Sequence, residues 1–183
     1  MTYYGSKELA QSFRTVRKNT IAVAEDIPEQ HYGFRAAPET RTVAQMLVHL
    51  AVTPRLHEQI HIIERRTTLD GFDFFSFFGK LTAEEQVGRS KAEITGTLRE
   101  EGEKFAQLLE GLPEEFLSQR VTFSQGMVPP SKSRFEMLLS AKEHEMHHRG
   151  QLMLIERLLG IVPHLTRQMQ ERISAAQAKK GNT

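Results

Sequence analysis

Three histidines have the chemistry and the spacing for a metal ion. His144 and His148 are four residues apart in His144-Glu145-Met146-His147-His148-Arg149-Gly150-Gln151. On a helix, residues four apart leave from one face, about 6 Å apart at Cβ. Two imidazoles so placed suit one divalent ion. A third must come from another helix, and His49 is the candidate. Leu47 and Leu50 bracket it, as Met146 and Leu152 bracket His148. An imidazole at the edge of an apolar face needs partners: a metal serves one ring nitrogen, and a carboxylate or carbonyl serves the other. Glu143 and Glu145 are the candidates for that second role. The same spacing also suits half-exposed surface residues. His57 and His61 form a second i, i+4 pair, with His57 about 12 Å along the axis from His49, too far to join the first set easily.

The elements that must position these rings read as helices. Leu9, Phe13, Val16, Thr20 and Val23 recur at three and four after Ser6, which predicts a first helix to about Glu25, ended by Ile27-Pro28. A linker, 29–39, carries His31, Tyr32 and Phe34, either to cover one end of the core or to line a pocket mouth. A second helix is expected from Thr40 to about Arg66, kinked by Pro54 just over a turn after His49. The run Phe72 to Phe78 holds five of the eleven phenylalanines between Gly71 and Gly79. It alternates too poorly for a strand and reads as a loop folded back as an apolar plug, with a substrate wall or a dimer contact as the other readings.

Thr82 and Glu85 make a capping-box pattern that predicts a third helix to about Leu109. An irregular connection follows from Glu114, with a short extended piece near Arg120 to Phe123 and a turn at Gly126. Ser133 and Glu136 open a fourth helix, and Gly160 caps its end. Pro163 starts a short fifth helix. The reading is one all-α domain, a helical bundle over residues 1–178, with a disordered tail at 179–183.

Composition bounds function by exclusion. The chain has 183 residues, 39% of them hydrophobic, enough for one substantial core. It has no cysteine, so disulfides, thiolate ligands and cysteine nucleophiles are excluded. Net charge is +1, and the basic excess sits at the end, in Arg167, Arg172, Lys179 and Lys180. No concentrated basic face points to nucleic acid. No apolar run approaches the ~20 residues of a membrane helix, and the start of the chain lacks a signal-peptide pattern. No membrane partner and a cytoplasmic location are the expectations. Neither a nucleotide-phosphate loop nor a Ser-His-Asp motif is present.

The ordered pattern resembles the DinB-like family. The resemblance rests on Leu47-Val48-His49-Leu50 after a proline-containing linker, and on His144-x-x-x-His148-Arg149-Gly150-Gln151-Leu152 about ninety-five residues later. Phe13 to Pro28 also looks like family members, and the likeness spans roughly residues 8–160. It implies a four-helix bundle with a long connection between helices two and three, a divalent metal (zinc or nickel) on His49, His144 and His148, and a homodimer. Relatives include transferases and isomerases that use low-molecular-weight thiols.

On this reading the protein is a metal-binding protein with an open three-histidine site, a transferase or hydrolase using a small thiol or water. The alternative is a non-enzymatic bundle that the metal stabilises, or a metal- or ligand-binding protein. No catalytic residue is assigned. Arg149 is expected to pair with a carboxylate and Gly150 to permit close helix contact. Gln151, a turn away from His148, is expected to have a structural role.

Overall fold

The computed structural model describes residues 4–181. The chain is all-α apart from one small ribbon. Helix α1 spans Ser6–Asp26 and α2 spans Val43–Val52, with a short 3-10 turn at Glu29–His31 between them. Thr42 and Gln45 cap α2 reciprocally. Helix α3, Pro54–Glu58, follows at once and runs into a π-helical turn at Gln59–Ile63. Then come α4 (Phe74–Gln86), α5 (Lys91–Glu110), α6 (Glu114–Ser118), strands β1 (Arg120–Thr122) and β2 (Ser131–Ser133), α7 (Arg134–Leu158) and α8 (His164–Gly181). The strands pair antiparallel, Val121 opposite Lys132.

This corrects the four-helix bundle with a short fifth helix. The expected second helix is interrupted, because proline at position 54 has no N–H to continue the ladder. The Phe72–Phe78 run is not a loop. Asp73 accepts from the Ser76 N–H and starts α4 there, and Phe74, Phe77, Leu81 and Glu85 follow at spacings of three and four. Leu81 and Glu85 are buried, whereas Phe75 is 95% exposed. Thr82 therefore lies inside α4 and caps nothing. The true cap of α5 is Ser90 with Glu93. The connection before α7 holds a helix and a ribbon, and α8 is 18 residues long. That helix continues through Gly181, so of the tail expected at 179–183 only Asn182 and Thr183 lie outside the described residues.

The core is split into two levels. One apolar cluster gathers Val23, Leu47, Leu50, Ile94, Leu98, Leu152 and their neighbours. The other gathers Leu9, Phe13, Phe105, Leu109, Leu138 and Ala141. Along α1, α5 and α7 the boundary falls at Arg17, Gly102 and Glu145. Arg17 is 3% exposed and Glu145 2% exposed. The guanidinium donates from Nε and Nη2 to the Glu145 carboxylate at 2.9–3.1 Å. It also donates from Nη2 to Leu50 O and from Nη1 to Leu98 O, both at 2.8 Å. One side chain of α1 thus joins α2, α5 and α7.

Sequence explains both carbonyl contacts. The ladder partner of Leu50 O would be the N–H of residue 54, and Pro54 has none. On α5, a Cβ at Gly102 would lie 2.7 Å from Arg17 Cγ, so only glycine leaves the guanidinium a path to Leu98 O. An isolated buried charge is strongly destabilising, while a fully bonded one is tolerated. Arg17→Ala leaves the Glu145 carboxylate buried and unpaired. The expected destabilisation is about 3–5 kcal/mol in urea unfolding; a loss like that of an exposed ion pair, under about 1 kcal/mol, would contradict the clamp.

A second buried acid has no such partner. Glu156 on α7 is fully buried, and neither carboxylate oxygen finds a hydrogen bond among the described residues. Burial, then the neighbouring Asp26, raise its pKa from 4.5 to about 7, against Arg167 and Arg157. The folded state therefore binds the proton more tightly than the unfolded one. That stabilisation is complete below pH 4.5 and is lost as pH rises through 7. Wild type should lose roughly 2–3 kcal/mol relative to Glu156→Gln over that interval, measured by chemical denaturation at each pH. A difference that stays flat with pH would contradict this.

Candidate metal centre

The histidines come from two helices that pack against each other, α2 beside the first apolar cluster and α7 where it passes from one cluster to the other. His49 lies on α2, and His144 and His148 lie on α7. All three are half-buried, and one ligating nitrogen of each lies within 4.8 Å of the others. Ring centroids are 4.5–5.0 Å apart. Among the described residues these are the only three or more potential ligands so gathered.

Hydrogen bonds fix the tautomers of two rings. His49 donates Nδ1–H to Glu85 Oε1 at 2.8 Å, because a carboxylate can only accept. Its Nε2 is then a lone pair, which accepts from His144 Nε2 at 3.0 Å. His148 donates Nδ1–H to Gln151 Oε1 at 2.7 Å, leaving its own Nε2 as a lone pair. Gln151 Nε2 in turn donates to His147 at 3.2 Å. A cation there would need His144 as well to carry its proton on Nδ1, so that the ring stays neutral and its Nε2 offers a lone pair.

Electrostatics favours the neutral rings that ligation needs. Burial, then the His49 and His148 rings, push the His144 pKa down to about 3. Burial and the charge of Arg41 lower that of His49. Burial is also the main cause of the lowered value at His148. The donor set therefore fits a divalent ion: three uncharged imidazoles, two of them aimed through their second nitrogen.

Glu85 is the functional residue that the sequence reading missed. Its side chain is 3% exposed, and Arg41 Nε donates to its second oxygen at 2.6 Å. The available signal was the helical spacing Phe74, Phe77, Leu81, Glu85, hidden by reading the aromatic run as a loop. The two carboxylates proposed for that position lie elsewhere. Glu145 is taken by Arg17, and Glu143 is exposed.

Other expectations also change. Among the described residues Arg149 pairs with no carboxylate; its Nη1 donates to Val16 O at 3.4 Å. Gly150 is exposed, and a Cβ there would meet nothing within 4 Å, so it permits no close helix contact. His57 and His61 stack with centroids 6.0 Å apart outside the cluster, and Arg134 donates to His61 Nδ1 at 2.9 Å. In the linker 29–39 Tyr32 and Phe34 take the covering role, and the groove beside His148 is lined by neighbouring residues instead. Tyr32 is buried and donates to Ala24 O, while Arg35 and Glu39 line that groove.

The model of the DinB superfamily matches residues 12–152, which include all three histidines and Glu85. The chain belongs to the DinB superfamily. Among DinB relatives, protein YjoA of Bacillus subtilis (strain 168) is 24% identical over 155 residues, 85% of this chain and 91% of its own. The crystal structure of YjoA, described as DinB-like, superposes with a TM-score of 0.61 at 21% identity, covering 84% of this chain and 92% of that one. A Streptococcus pneumoniae protein gives 0.64 at 16% identity, over 86% and 93%. A Clostridium difficile 630 protein gives 0.63 at 15%, over 86% and 98%. At these identities the structures speak for the DinB fold alone. None of the described helices is long and apolar enough to cross a membrane.

If Glu85 orients His49 for ligation, removing it should weaken the site without removing a ligand. Glu85→Ala should lower zinc affinity about 10–100-fold, read by competition with a chromophoric chelator. Unchanged affinity would show that the contact is only structural.

Proposed function

We propose that this DinB protein binds a divalent ion, zinc or nickel, on His49, His144 and His148, and uses it as a transferase or hydrolase acting through a small thiol or water. The observation that carries the reading is the convergence of three neutral imidazoles with His49 and His148 already turned by Glu85 and Gln151. Structural zinc sites are typically closed by four protein ligands, and catalytic ones keep a position open. A divalent ion on uncharged ligands keeps its full double charge, and it supplies Lewis acidity that lowers the pKa of a water or thiol beside it.

The chain's own residues do the positioning. Glu85 holds the Nδ1 proton of His49, and Arg41 holds Glu85 by its other oxygen. Gln151 holds the Nδ1 proton of His148. Each contact keeps an Nε2 lone pair directed at the shared centre and reduces the reorganisation that binding needs. A groove of about 520 Å³ opens beside His148 and Glu85, within the range of roughly 300–1,000 Å³ typical of small-molecule sites. That access supports chemistry over a buried structural staple.

Elemental analysis of purified protein should find one divalent ion per chain, or restore one on addition. Thiol transfer to a small electrophile should accompany it. His148→Ala should lower metal affinity and transfer together, each by at least about tenfold. A wild-type protein that cannot be loaded would contradict the metal reading. A loaded protein without transfer or hydrolysis would favour the non-enzymatic alternative.

A further inference from the structure

The groove beside the histidines has an unusual hydrogen-bond balance. Its polar wall includes Arg35, Arg41, Gln45, Gln86 and Gln151, with His148 at one side. The amide carbonyls are already engaged. Gln45 Oε1 accepts from Thr42 N–H, Gln86 Oε1 from Gln45 Nε2, and Gln151 Oε1 from His148. Arg41 spends Nε and Nη2 on Glu85, and Arg35 spends Nη1 on Thr40 O. Among the described residues, Arg41 Nη1, Arg35 Nε and Nη2, and Gln86 Nε2 have no partner. What remains on offer is therefore mainly N–H groups, and three of these nitrogens belong to guanidiniums. Guanidinium forks match a carboxylate in shape and charge.

Two acids also line the groove, and they differ. Both oxygens of Glu85 are bound by His49 and Arg41, and its charge is offset by the Arg41 guanidinium it pairs with. Glu39 is exposed at the rim, where solvent screens it. The guanidiniums and carboxylates balance in formal charge, and a divalent ion on the histidines would tip the groove positive.

We propose that this groove is a carboxylate subsite: its ligand is a small organic acid whose carboxylate sits on Arg35 and Arg41 while its other end faces His148. The assignment deepens the metal reading, and it rests on that reading only for the strength of binding, since the free N–H groups are present with or without an ion. Anion and cation should therefore reinforce each other, each raising the other's affinity.

The probes are hexanoate and hexanamide, equal in length and different in charge, titrated by calorimetry into zinc-loaded and zinc-free protein. Hexanoate should bind both forms more tightly than hexanamide, by about tenfold or more, as expected when a charge-assisted hydrogen bond is exchanged for a neutral one. Zinc should tighten hexanoate and leave hexanamide unmoved. Arg35→Gln, at an exposed position where folding is spared, should remove most of the preference in both forms. Equal binding of the two probes would overturn the subsite, and so would a preference that survives Arg35→Gln, because the carboxylate would then sit on the ion or elsewhere. If zinc cannot be loaded yet the Arg35-dependent preference holds, the metal reading fails alone. If zinc loads stoichiometrically and the preference is absent, the subsite fails alone.

Discussion

The site depends on one buried cation. Arg17 reaches from α1 between the two apolar clusters and bonds Leu50 O, Leu98 O and Glu145. Leu50 is the residue after His49, and Glu145 is the residue after His144. Fixing those two neighbours fixes how far α2 slides along α7, and so whether the imidazoles meet. Hydrogen bonds to a buried charge are demanding in length and direction, which apolar packing alone is not. The clamp exists because two residues make room for it: Pro54 withholds an N–H, and Gly102 withholds a side chain. Proline at the first position of α3 suits the start of a helix, whereas glycine inside α5 is unfavourable, and each leaves a carbonyl open to Arg17.

The polar cluster around the histidines is half-buried at the edge of the apolar core, and a chain of hydrogen bonds links its members. Arg41 holds Glu85, Glu85 holds His49, and His49 meets His144. Burial keeps the rings uncharged, so they do not repel a cation, and the hydrogen bonds on Nδ1 decide which nitrogen faces inward. The π-helical turn and the His57–His61 pair lie beyond this cluster, where Arg134 rather than a carboxylate supplies the hydrogen bond. A neighbouring guanidinium disfavours a metal there, which separates the two histidine pairs by chemistry as well as by distance.

Legibility in the sequence follows the range of the interaction. The His144/His148 pair is readable because four residues on a helix is local geometry. The Ser133 and Gly160 ends of α7 are readable for the same reason, and DinB membership could be seen in the His49 and His144–Leu152 blocks. Position 54 reads as a break, but its consequence, a freed carbonyl waiting for Arg17, spans 33 residues and has no local mark. The Arg17–Glu145 pair spans 128 residues and is equally invisible. Glu85 was lost through a competing local signal. Thr82 and Glu85 fit a capping box, and the phenylalanines before them lack alternation, so the four-helix bundle absorbed Glu85 into the wrong helix. The spacing from Phe74 to Glu85 carries the right answer, but only when the run is tested for a period near 3.6 as well as for a period of two.

The central claim is that three imidazoles from two helices hold one ion and leave it open. X-ray absorption at the zinc edge, on protein loaded with one equivalent, tests it most directly. The account predicts a coordination shell with three imidazole nitrogens and the remainder light atoms from solvent, reduced to two imidazoles in His49→Ala. A shell with fewer than three imidazoles in the wild type, or one completed by a fourth protein side chain, would contradict it.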